Sequence, residues 1–120
     1  MEKVYKITLN LESDDSRYFY AKEKISLAIY ELVTYEGDVR YRLTKAYMCF
    51  HLLRSNYFPD ALRREWDDIY NSMTKKGPYR SQDGRILLDS CQNTMRAIRN
   101  STASKLAARI LELHYKLNCY

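Results

Sequence analysis

Residues that break or cross-link a chain are scarce here: 120 residues hold three glycines, two prolines and three cysteines. So few breakers exclude collagen-like and low-complexity architectures and leave room for long regular elements. An odd cysteine count without a CxxC spacing gives neither a disulfide framework nor a zinc site. Cys49 and Cys91 fall on apolar helix faces and Cys119 is next to last. All three are therefore expected as free thiols that behave as small hydrophobes. No run of about 18 apolar residues occurs, so no membrane-spanning helix is expected. The opening Met1-Glu2-Lys3-Val4-Tyr5 alternates charged and apolar residues, with no apolar signal core. A reducing cytoplasm is the expected location. Histidine is limited to His51 and His114, and HExxH, P-loop, GxGxxG and GxSxG patterns are all missing. No metal and no cofactor are expected.

Tyrosine, by contrast, is abundant, with twelve copies. Each brings a large apolar ring with a polar tip, suited to closing a core or to meeting a partner. Hydrophobic residues make up 46% and charged residues 29%, an ordinary globular composition for one domain over residues 1–120. The net charge of +5 is uneven: residues 79–120 carry +4 of it, whereas residues 1–35 carry −1. That distribution permits a nucleic-acid or acidic-protein partner without requiring one.

Residues 4–11 alternate polar and apolar from Lys6 to Leu11 and read as a strand or extended arm, with no second convincing strand to pair with it. Ser13-Asp14-Asp15-Ser16 is a cap cluster opening a helix from about Asp15 to Tyr35, with Ala21, Ile25, Ala28, Ile29 and Leu32 on one stripe. Gly37 ends it and Asp38 caps a second helix, which buries Val39, Leu43, Ala46, Tyr47, Phe50 and Leu53 and stops near Arg54. Phe58-Pro59-Asp60 restarts the chain, and Leu62, Trp66, Ile69 and Met73 form the third stripe, closed by Gly77-Pro78. Residues 79–84 read as a polar loop ending in an Asp83-Gly84 turn. A fourth helix is expected from near Arg85, burying Leu87, Cys91, Met95 and Ile98. Asn100-Ser101-Thr102 either caps a fifth helix or bends a continuous one, with Ala103, Leu106, Ile110, Leu113 and Leu117 following. The fold class is all-α: a compact bundle of four or five helices over residues 13–118, with residues 1–12 as an extended arm or short edge strand.

Three candidate sites stand out. Arg109-Ile110-Leu111-Glu112-Leu113-His114 has the form R-x4-H. It resembles the signature of HEPN ribonucleases, small helical proteins that pair two such motifs across a dimer interface. The resemblance implies His114 handling the 2′-hydroxyl proton and Arg109 stabilising the phosphorane. Helix geometry separates the two side chains by roughly 140°, and the other reading of His114 is a core-edge histidine.

The second candidate is a basic corner of Arg96, Arg99, Lys105 and Arg109, extended by Arg80 and Arg85 with Tyr79 for stacking. It would hold phosphate or a nucleic-acid backbone through bidentate arginines; the alternative is a solvated basic face.

The third is a surplus of tyrosines. Tyr30, Tyr47, Tyr70 and Tyr115 are expected to border the core. Tyr18, Tyr20, Tyr35, Tyr41, Tyr57 and Tyr79 lie mostly at helix starts and loops and read as a protein interface. The expected function is a small non-enzymatic binding or adaptor protein in a homo-oligomer or larger complex. A nucleic-acid-binding protein and an HEPN-like ribonuclease are the alternatives.

Overall fold

The computed structural model describes residues 18–120. The expected strand or arm at 4–11 and the cap cluster at 13–16 lie outside those residues. The described chain is a mostly helical bundle with five α-helices: α1 (Phe19–Thr34), α2 (Val39–Phe50), α3 (Asp60–Met73), α4 (Ser90–Met95) and α5 (Asn100–Leu117). A 3-10 turn at Ser55–Tyr57 precedes α3, and two short strands, β1 (Tyr79–Arg80) and β2 (Ile86–Leu88), separate α3 from α4.

Helix α1 buries Ala21, Ile25, Ala28 and Leu32, a spacing of four, three and four that keeps one stripe on the core. Its own last turn holds no basic residue, and α2 supplies one. Arg42 Nη1 donates to the Leu32 carbonyl at 2.7 Å and Nε donates to the Gly37 carbonyl at 3.0 Å. A cation is thereby placed on the negative end of α1 and satisfies carbonyls the helix cannot. Gly37 sits at φ +108°, and a Cβ there would lie 3.0 Å from Tyr41 Cδ2, so the link between α1 and α2 favours glycine on two counts. Asp38 then caps α2 by accepting the Tyr41 N–H at 3.1 Å.

The core centres on Trp66. Phe50 meets its ring edge-on at 5.1 Å and Phe58 stacks on it at 5.0 Å. Leu62, Ile69 and Met73 of α3, Cys91 and Met95 of α4 and Ala103, Leu106, Ile110, Leu113 and Leu117 of α5 join Leu53 and the stripes of α1 and α2 in the buried set. Fully burying side chains of this size contributes about 1.5–3 kcal/mol each before the ordering cost is subtracted. An ion pair between Lys116 and Glu65 at 3.1 Å also links α5 to α3.

Between α3 and α5 the chain departs from expectation. Residues 79–84 are not simply a loop: β1 pairs antiparallel with β2 around the Asp83-Gly84 turn, where Gly84 has φ +86°. The fourth helix does not begin near Arg85. Leu87 is on β2 and 49% exposed, and α4 starts only at Ser90. The cause is a reciprocal cap. Gln92 N–H donates to Asp89 Oδ1 at 2.8 Å while Asp89 N–H donates to Gln92 Oε1 at 2.9 Å. Helix α4 ends at Met95 and Asn100 opens α5, so two helices meet at that corner rather than one bent helix.

Two buried polar side chains tie the corner to the turn after α3. Thr94 Oγ1 accepts from Lys76 N–H at 3.0 Å and donates to the Ser90 carbonyl at 2.8 Å. Asn93 Nδ2 donates to the Gly77 carbonyl at 3.0 Å. Both groups are thereby satisfied where an unpaired one would cost about 1–3 kcal/mol.

Candidate functional site

The tyrosines fall into an order different from the expected one. Tyr47 is buried and Tyr70 half-buried, their hydroxyls 3.4 Å apart. Tyr30 and Tyr115, expected at the core edge, are instead 62% and 64% exposed. Each follows a core residue, Ala28 or Leu113, by two positions, which turns it roughly 200° around the helix. The six tyrosines read as an interface are engaged within the chain. Tyr18 meets Tyr120 at 6.2 Å, Tyr20 meets Tyr57 at 5.2 Å and Tyr35 meets Tyr41 at 5.7 Å, all edge-on, and Tyr79 lies under the Arg96 guanidinium. Lys45 Nζ lies over both Tyr35 and Tyr41, 5.2 and 5.0 Å from their centroids. Such contacts restrict the rings on the surface.

Exposed apolar side chains occur on the outside of α1 and α2, as well as at Ile86 and Leu87 of β2 and Leu111 of α5. Leu27, Tyr30 and Val33 of α1 are exposed, Val33 at 75%. Met48 of α2 and Leu52 just beyond it are exposed too, with Tyr41 two turns before Met48 on the same side. Helix α1 is thus apolar on the face it buries and on the face it turns outward. A single amphipathic stripe would leave the outer face polar. Glu23, Lys24, Glu31 and Lys45 give this surface charges of both signs, and among the described residues none of the four is in a salt bridge.

The basic residues divide among several places. Arg80 Nη1 donates to the Gly84 carbonyl at 2.9 Å and closes the hairpin turn, where the Arg85 side chain is exposed. Arg99 is exposed at the start of α5, and Lys105 is exposed along it. Arg109 opens onto a shallow groove of about 480 Å³ that it shares with Lys75, Asp68 and Asn71. Arg96 lines a different groove of about 460 Å³ with Arg40, Asp38, Thr44, Gln92 and Met95. Its Nε donates to Asn93 Oδ1 at 2.8 Å and its guanidinium lies 4.5 Å from the Tyr79 ring centroid. Sequence spacing pointed to Arg96 and Tyr79 but not to Arg40, which comes from α2 and donates from Nη1 to the Ile98 carbonyl at 3.2 Å.

Within R-x4-H, no contact joins Arg109 to His114 in the described chain. His114 is half-buried beside Tyr115, with Nδ1 3.2 Å from Asn118 Nδ2, and burial pushes its pKa below the usual value. A third groove, of about 720 Å³, brings His51, Ser55 and Asp67 to one lining. The three residue types are those of a nucleophile triad, yet no hydrogen bond links any two of them, and His51 stacks on Tyr47 at 5.3 Å instead. Among the described residues no cluster of His, Cys, Asp or Glu could hold a metal ion, and no helix is long and apolar enough to cross a membrane. No family model, curated protein or solved structure matches the chain.

Proposed function

We propose that this chain is a non-enzymatic binding protein that works as a homo-oligomer, with the outer face of α1 and α2 as its contact surface. The observation that carries this reading is the second apolar face of α1, with Leu27, Tyr30 and Val33 turned away from the core. An apolar helix face gains free energy only when something covers it, at about 25 cal/mol per Å² removed from water.

A second copy is the occupant the surface suits. A two-fold contact sets one patch against itself, so charges must meet their opposites on the same patch. Glu23 and Glu31 alongside Lys24 and Lys45 meet that condition, whereas a patch of one sign would repel its copy. The paired rings of Tyr35 and Tyr41 add rigid, weakly solvated edges at the rim.

The pair Tyr30→Glu and Val33→Glu tests the reading. Both residues are exposed, so the helical circular dichroism should stay nearly unchanged while the oligomer dissociates at least tenfold more readily and the melting temperature loses its dependence on concentration. Unaltered association in the double variant would remove this face from the interface.

A further inference from the structure

The geometry points to the groove between α2 and α4 as a binding site for a phosphate ester, with Arg96 as the residue that receives the phosphate. The inference does not rest on self-association: it uses the N-terminal end of α2 and the α4 corner, and shares only the Tyr41 ring with the surface described above.

Arg96 is exposed, and an exposed arginine normally samples many rotamers. This one is constrained on two sides. Asn93 holds Nε from a nearly buried position, and Asn93 is itself fixed by its bond to the Gly77 carbonyl. Tyr79, on β1, supports the flat face of the guanidinium. Nε is therefore spent, and both terminal nitrogens are without a protein acceptor among the described residues. A planar guanidinium fixed in this way offers two parallel N–H donors, the fork that matches two oxygens of a phosphate.

Arg40 strengthens the site from the facing helix. Its Nη1 is tied to the Ile98 carbonyl and its Nη2 to Asp38 Oδ2 at 3.1 Å, so its charge is placed and its position fixed. Asp38 takes the Tyr41 N–H on its other oxygen. With two arginines against one carboxylate, the groove carries a net charge of +1. Its volume of about 460 Å³ falls in the range of small-molecule sites. Met95 and the Tyr41 ring give it apolar wall beside the charge, and the Gln92 amide nitrogen is an unused donor. Phosphate on Arg96, with an organic group on the Met95 and Tyr41 side, is the ligand that uses each of these features. A nucleotide phosphate has that chemistry whether free or in a single strand.

Adenosine monophosphate and a six-nucleotide single-stranded RNA, titrated at low salt with amide NMR shifts recorded, distinguish the two sources. In either case the resonances of Tyr79, Gln92 and Met95 should move, and Arg96→Gln should weaken binding at least tenfold. Arg96→Lys should not restore it, because an ammonium lacks the fork. Arg99→Gln, outside the groove, should change affinity less than twofold. Gln92→Glu supplies a second variant: its carboxylate still accepts the Asp89 N–H and preserves the cap, but adds a negative charge to the groove and should weaken binding severalfold. Mononucleotide binding alone assigns a small-molecule site, and tighter, salt-sensitive RNA binding assigns a strand. Absence of binding by both probes at millimolar concentration overturns the inference, as does binding that Arg96→Gln leaves intact.

Discussion

Two thiols and one histidine owe their shifted acidity to burial. Cys91 is buried and its thiol is pushed up to about 12 by desolvation. Cys49 is half-buried and raised by the same cause, whereas Cys119 is exposed. A thiol reagent at pH 8 should therefore titrate one cysteine quickly and the other two only as the chain opens. The rates in a Cys119→Ser variant check the assignment, and a fast phase that survives it would contradict this ordering.

His114 gives a pH dependence with a definite sign. Its folded pKa lies below the ordinary 6.5, so the folded chain binds fewer protons than the unfolded one. Its contribution is fully present above the unfolded value near 6.5 and is lost as pH falls through the folded value. Melting temperatures at pH 7.5 and pH 5 should differ less in His114→Asn than in the parent chain. An equal difference would mean that other groups dominate the acid limb.

Most helices were legible in the sequence because their signals were long and redundant. The stripes of α1, α2, α3 and α5 each repeat at helical spacing over three turns or more, and Asp38 and Gly37 mark a boundary that the structure keeps. The hairpin was not legible. Strands of two and three residues are too short to show alternation, and Ile86-Leu87-Leu88 suits a helix or a strand equally well. The signal that resolves it is Asp89 followed three residues later by Gln92, a capping box that moves the helix start from Arg85 to Ser90. Asp89→Ala should cost about 1 kcal/mol in chemical denaturation. Asp89→Ser should recover most of that loss. A loss well under 0.5 kcal/mol for the alanine variant would show that packing of Cys91 and Met95, not the cap, holds α4.

The candidate sites were less legible than the fold, for a geometric reason. Arg40 and Arg96 line one groove across 56 positions of sequence, and the rings of Tyr20 and Tyr57 meet across 37, so no local pattern announces either arrangement. Composition flagged too many tyrosines. Only the fold separates those that pair on the chain's own surface from Tyr30 and Tyr115, which stand out into solvent.

For the molecule as a whole, the decisive fact is that one helix is apolar on two sides. Its inner stripe forms the core and its outer stripe asks for a second body. Charges of both signs around that stripe fit the proposed two-fold contact, and the Arg96 groove at the α4 corner shares only Tyr41 with that surface. Sedimentation equilibrium over a hundredfold range of concentration decides whether the chain self-associates. Self-association through α1 and α2 predicts a molar mass that rises with concentration towards at least twice the 14.3 kDa of one chain. A mass that stays at 14.3 kDa up to about 100 μM, where even a contact weaker than about 6 kcal/mol would begin to register, contradicts it.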